Sequence, residues 1–186
     1  MVGALPKAEP SGDCHPHYDQ FALAHNGALS PKEGIEALIA PHYRERIAGT
    51  TDSERHFLAL LSAWEHFPPL EAFRVHLATL HGHLQSTSLN CLLLTPEALY
   101  AVCDFDPNAP LAQQEPDYFH LQYHITPEAV IVGSTGLSQG EGWKTLKNGQ
   151  ILIVERGTLQ VTIVEIVQNT RKSIMERSAI IIETDL

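Results

Sequence analysis

Basic residues and cysteines are scarce in this chain. Twelve Lys and Arg stand against 22 Asp and Glu, a formal net charge of −10. A surface so short of positive charge does not attract a phosphate backbone or an anionic bilayer, which argues against nucleic-acid and membrane partners. The acidic excess is scattered and serves mainly solubility. Cysteine is confined to Cys14, Cys91 and Cys103. An odd, sparse set without a pattern reads as reduced thiols in a cytoplasmic protein. Cys91 and Cys103 lie in apolar contexts, as inert core residues do. Long apolar runs are missing too: stretches such as Ile180-Ile181-Ile182 are strand-sized, far short of a membrane span. Met1 to Ser11 holds one Lys, two Pro and no apolar run long enough for a signal peptide. Repeats, low-complexity tracts and evident linkers are absent. Neither Ser53 nor Ser134 has the G-x-S-x-G context of a serine hydrolase.

What is present suits a single domain over residues 1–186. Hydrophobic residues make up 44% of the 186, enough for a sizeable core. Residues 1–20 are polar and rich in Pro, Gly and His, and read as irregular loop. Phe21 to His25 is a short apolar run closed by Asn26-Gly27, a turn dipeptide. Pro31 to Ile39 predicts a short helix with Ser30 as N-cap. Thr51-Asp52-Ser53-Glu54 fits the capping-box pattern, and Phe57, Leu60, Leu61 and Trp64 follow at helical spacing, which predicts a helix over 52–66. Pro68-Pro69 opens a second helix with the stripe Leu70, Phe73, Leu77, Leu80 and Leu84. Strand-like runs then take over. Asn90 to Leu94 and Ala98 to Cys103 flank Thr95-Pro96-Glu97 as a hairpin, and Phe119 to Ile125 alternates apolar and polar residues. Ala129 to Gly133 reads as a buried strand. Gln150 to Glu155 and Leu159 to Val167 form a hairpin about Arg156-Gly157, and Ala179 to Ile182 is a last short strand. Helices followed by hairpin-linked strands indicate α+β with an antiparallel sheet.

Several segments carry chemistry only in combination. Asn26-Gly27 alone is a tight turn, and Thr51 to Glu54 alone is a helix cap. In order, however, come Cys14-His15-Pro16, then Ala24-His25-Asn26-Gly27-Ala28-Leu29, then Thr51-Asp52-Ser53-Glu54 leading into an apolar helix. This succession resembles the class II glutamine amidotransferases. Ser88-Leu89-Asn90 is similar to the family's strand after the helical pair. Val130 to Leu137, Gly142-Trp143 and Lys147-Asn148-Gly149-Gln150 are similar to its late segment before a closing hairpin. The resemblance covers roughly residues 13–167.

The resemblance implies the N-terminal-nucleophile hydrolase fold, an αββα sandwich of antiparallel sheets. It also implies glutamine, or a related small amide, as substrate. In the family an N-terminal Cys thiolate attacks the side-chain amide with its own α-amine as proton acceptor. Asn26 and Gly27 match the oxyanion hole, as a side-chain amide and a backbone N–H. Asp52 matches the carboxylate that holds the substrate α-ammonium. His15 and His25 match frequent family positions near the substrate and take support roles. No cofactor is implied.

Two departures matter. Residue 2 is Val2 where the family has its nucleophile, and the Arg that clamps the substrate carboxylate has no counterpart. The expectation is an incomplete set of N-terminal strands, a chain inactive alone, and a homodimer or a complex with an upstream-encoded segment. Cys14 would serve as nucleophile only after cleavage behind Asp13. The alternatives are a non-catalytic interaction module that retains the fold, and a metal enzyme built on the histidines. Of the close pairs, His81 and His83 diverge on a helix, whereas His120 and His124 share a face on a strand. Cys14-His15-Pro16-His17 lacks a second ligand cluster at finger-like spacing, so no metal is expected.

Overall fold

The computed structural model describes residues 17–18, 20–134 and 140–166. The described residues open with β1 (His17–Tyr18), β2 (Phe21–Asn26) and β3 (Leu29–Ser30). Four helices follow: α1 (Lys32–Glu36), α2 (Pro41–Arg44), α3 (Asp52–Trp64) and α4 (Pro69–His83). Then come β4 (Gln85–Ser86), β5 (Asn90–Leu94), β6 (Ala98–Cys103), the short α5 (Pro110–Gln114), β7 (Leu121–Ile125) and β8 (Val130–Ser134). The last described strands are β9 (Lys144–Leu146), β10 (Gln150–Glu155) and β11 (Val161–Glu165).

The strands form a six-stranded sheet in the order β1-β2-β5-β6-β10-β11, a three-stranded sheet β8-β7-β9, and a small β3-β4 pair. Every pairing is antiparallel. The pleat sends alternate residues of the large sheet to opposite faces. Leu23, Leu93, Tyr100, Val102 and Ile151 face α1, α3 and α4, where they meet Ile35, Phe57, Leu60, Phe73 and Leu77. Ala101, Cys103, Leu152 and Val154 face the small sheet, where they meet Leu121, Tyr123 and Leu146. The described layers are therefore helix, large sheet, small sheet. Both faces of β6 are covered, which explains its unbroken apolar sequence. Phe57 and Phe73 are 1% and 0% exposed. Truncating either to Ala is of the type that costs about 3–5 kcal/mol.

The α3 start forms as its sequence predicts. Thr51 Oγ1 accepts the Glu54 N–H at 3.3 Å. The reciprocal half of the capping box is replaced: the Glu54 carboxylate accepts from Ala48 N–H and Gly49 N–H, at 2.8 and 2.9 Å. Glu54 thereby ties the preceding loop to the helix. Trp64 closes the apolar stripe by meeting Phe21, Phe73 and Tyr100 edge-on.

The short connections all lie at one end of the large sheet. They are the β1–β2 turn, the Thr95-Pro96-Glu97 hairpin and the Arg156-Gly157 hairpin. Arg156 N–H donates to Glu97 O at 2.8 Å, joining the two hairpins. The opposite end, where β2 stops at Asn26 beside Asn90, carries the long connections over 27–89 and 104–149.

Some expectations need correction. Ser30 does not cap a helix: it pairs with Gln85 in β3, and Pro31 stands at the N-cap of a helix that ends at Glu36. His17 and Tyr18, read as loop, pair with Ala22 and Phe21. The run 129–133 is only partly buried: Val130 and Val132 pack against the second core cluster, whereas Ile131 points to the other face of the small sheet and is 46% exposed. His120 precedes β7, so it does not share a strand face with His124. The predicted strand 179–182 lies outside the described residues.

Candidate functional site

β2 delivers His25, Asn26 and Gly27 to the end of the large sheet that carries the long connections. Asn26 pairs with Asn90 and is exposed. Gly27 then passes directly over Ser88: a Cβ built on Gly27 would overlap the Ser88 carbonyl oxygen. The glycine is required by this close approach rather than by a left-handed backbone. The following residue is held by Thr87, whose hydroxyl accepts the Ala28 N–H at 3.0 Å and whose own N–H donates to Ala28 O.

Asp52, the first residue of α3, reaches the same turn. Its Oδ2 accepts the Leu29 N–H at 2.7 Å, and its Oδ1 accepts the Ser53 N–H at 2.9 Å. Charge-assisted bonds of this kind are roughly twice as strong as neutral ones. Two segments far apart in sequence are thus locked together. Each carboxylate oxygen retains accepting capacity beyond the single bond described.

His25 secures the junction from the core side. It is 7% exposed, with Nε2 at 3.2 Å from Ser88 O and Nδ1 at 3.0 Å from Ser53 Oγ. A carbonyl only accepts, so Nε2 carries the proton and Nδ1 accepts from the Ser53 hydroxyl. Burial lowers the His25 pKa, while the Ser88 bond and the Asp52 charge partly oppose that shift. Behind His25 stand two further histidines. The His56 ring lies 5.0 Å from that of His25 and 4.9 Å from that of His76. His56 Nδ1 and His76 Nε2 are 3.0 Å apart. His56 and His76 are 0% and 3% exposed. Burial drives His56 well below the ordinary histidine range, aided by the neighbouring histidines, and takes His76 down to about 3. Sequence reasoning missed this pair. The available signal was position: His56 falls among Ser53, Leu60 and Leu61, and His76 among Phe73, Leu77 and Leu80, on the apolar faces of their helices.

An open cavity of about 1010 Å³ adjoins the turn, with Ala28 and Thr87 on its rim and Arg74, His81, Asp104 and Asp106 among its walls. His81 Nε2 lies 2.7 Å from Asp104 Oδ2, a carboxylate only 7% exposed. Asn26, Gly27 and Asp52 are not part of the cavity wall. Asn90 links the layers beneath it: its Oδ1 accepts the Asp104 N–H at 2.7 Å and its Nδ2 donates to Phe119 O.

The structure brings together Asn26, Gly27, His25 and Asp52 of the residues singled out from sequence. His15 and Cys14 lie outside the described residues. Among the described residues, no group of three or more His, Cys, Asp or Glu is placed to hold a metal ion. Cys91 and Cys103 are buried free thiols, and burial pushes them up to about 12 and about 11. Neither is a thiolate at neutral pH.

Comparison with known proteins identifies the fold and the family. No curated protein matches by sequence. Among solved structures, a glutamine aminotransferase class-II domain protein from Silicibacter pomeroyi superimposes with a TM-score of 0.61 at 21% identity, over 80% of this chain and 67% of that one. A predicted glutamine amidotransferase from Pseudomonas aeruginosa gives 0.52 at 17% identity, over 76% of this chain and 59% of that one. The glutamine phosphoribosylpyrophosphate amidotransferase from B. subtilis gives 0.52 at 16% identity, over 80% of this chain but only 30% of its own length. At these identities the likeness establishes the fold, which is α+β of the N-terminal-nucleophile hydrolase type. The sequence profile of the class II glutamine amidotransferases matches residues 13–178, nearly the whole chain. The chain belongs to the class II glutamine amidotransferases.

Proposed function

We propose that this chain binds glutamine, or a related small amide, at the Asn26–Gly27 turn. The reading is supported by one observation above others: Asp52 Oδ2 holds the Leu29 N–H at 2.7 Å, so the two motif segments form a single structural unit. The Asn26 side-chain amide and the Gly27 N–H are the donors for the amide oxygen as it becomes an oxyanion. Asp52 offers its remaining acceptor capacity to the substrate α-ammonium. His25 supports the turn from below, and His15 takes a support role by its match to the family position. In the reaction a cysteine thiolate adds to the amide carbon and ammonia leaves. Water then releases glutamate from the thioester.

The attacking half is not found among the described residues, since Cys91 and Cys103 are buried and protonated. On this reading the isolated chain binds its substrate without turning it over, and a thiolate and a cationic carboxylate clamp come from another segment, through a homodimer or a heteromeric complex. The same buried thiols favour a second reading, a non-catalytic module that retains the fold for binding. Free thiols suit the reducing cytoplasm, and no described helix is long and apolar enough to cross a membrane.

The test is to follow glutamine binding by calorimetry, and glutamate release enzymatically, with the purified chain. Binding that is lost in Asp52→Ala, without glutamate release, is the expected result. Release abolished by Cys14→Ser would overturn the inactive reading and identify Cys14 as the nucleophile. Absence of binding would overturn the glutamine site and leave the interaction module. Light scattering decides between a self-associated and a monomeric chain.

A further inference from the structure

Three buried histidines stacked in a core are an expensive arrangement that packing alone does not call for. His25 sits at the end of β2, His56 in the middle of α3 and His76 in the middle of α4, so the column runs from the turn through both long helices. Its polarity follows from the hydrogen bonds. If His76 donated to His56 Nδ1, the His56 proton would sit on Nε2, a buried atom with no hydrogen-bond partner among the described residues. An unsatisfied buried N–H is penalised, whereas a bare ring nitrogen loses less. The His56 Nδ1–H therefore donates to His76 Nε2, and the His56 ring is held at a fixed angle by α4. That ring is the wall against which His25 lies, tilted by 40°.

The His25 end of this column meets the site. His25 bonds Ser53, the neighbour of Asp52, and Ser88 O, the atom that Gly27 passes over. Ser53 and His56 are one helical turn apart on α3, so rotation of His56 and movement of Ser53 are coupled. The other ionisable groups near the column are Asp52, whose charge acts on His25, and Cys91, which lies opposite His25 in the β2–β5 ladder.

We propose that the buried His25–His56–His76 column is a positioning brace for the Asn26–Gly27 turn. His56 and His76 touch no substrate. They hold His25 on Ser53 and Ser88, and so set the aim of the two donors. The proposal rests on the glutamine-site reading for its functional meaning, but its readout does not require glutamine.

The experiment is NMR spectroscopy of the full chain in the wild type, His56→Phe, His76→Phe and His76→Gln. Phe keeps the ring and removes the His56–His76 hydrogen bond, whereas Gln at position 76 keeps an acceptor. The expected result is a shift of the Gly27 backbone amide and the Asn26 side-chain amide in both Phe variants, with partial return in His76→Gln. Glutamine affinity should fall in parallel, on the order of tenfold, in the Phe variants. Unchanged Gly27 and Asn26 signals in folded Phe variants would overturn the brace. Should those variants fail to fold, wild-type imidazole nitrogen spectra decide. A single Nε2–H tautomer at His25 and a through-bond coupling between the His56 and His76 nitrogens are required, and their absence overturns the proposal. Failure of wild type to bind glutamine removes the site reading and leaves the turn readout intact.

Discussion

At the scale of single residues, Gly27 and Ser88 behave as one position. The Gly27 backbone lies so near the Ser88 carbonyl that no side chain fits between them. Gly27→Ala should therefore push the turn off Ser88, weaken the Leu29–Asp52 bond and abolish ligand binding. The expected cost is about 1–3 kcal/mol, the usual range for overpacking, read from the denaturant midpoint. A variant with unchanged midpoint and binding would show that the close approach is dispensable. The importance of this glycine was legible in the sequence only through the company of Asp52. The reason was not: contact with Ser88, 61 residues on, is set by the β2–β5 pairing and leaves no local trace. His56 and His76 were hidden for a similar reason. A histidine on a helix is equally compatible with solvent, and only the third histidine, brought in by β2, makes the two of them a column.

At the scale of elements, α3 was the most legible segment because its cap and its apolar stripe agree. Its first turn contributes both structure and the candidate site. Thr51 caps the helix, Glu54 restrains the loop before it, and Asp52 between them binds Leu29. Thr51→Ala should cost about 1 kcal/mol by loss of the cap. Glu54→Ala removes two charge-assisted bonds to the loop and should cost at least as much, on the order of 1.5–3 kcal/mol. Urea denaturation of the two variants would measure the order, and a larger effect for Thr51 would contradict it. β8 and α1 show where local reading fails. The apolar run of β8 predicts burial, but the pleat turns Val130 and Val132 to the core and leaves Ile131 on the other face, in solvent. Ser30 has the residue type of a cap, yet the β3–β4 pair takes it first.

At the scale of the whole molecule, the histidine column makes stability depend on pH. The folded-state pKa values of His25, His56 and His76 are all lowered, the last to about 3 from 6.5. Below pH 6.5 the unfolded chain takes up protons that the folded chain refuses, so stability is full above that value and falls as the pH drops toward 3. For His76 the slope between those two values approaches about 1.4 kcal/mol per pH unit. The melting temperature should decline from about pH 7 to about pH 5, and the decline should be shallower in the His56→Phe, His76→Phe double variant. Equal slopes in the two proteins would place the acid sensitivity elsewhere.

The two ends of the large sheet differ in a way that bears on how such a protein can vary. One end is sewn shut by three short turns, two of them tied together through Arg156 and Glu97. An insertion there would disturb a tight turn and, at either tied hairpin, the Arg156–Glu97 bond. The other end is spanned by the long connections and opens onto the cavity. Added length there leaves every ladder undisturbed. Changes of substrate or partner can therefore accumulate at the open end while the sewn end keeps the strands in register.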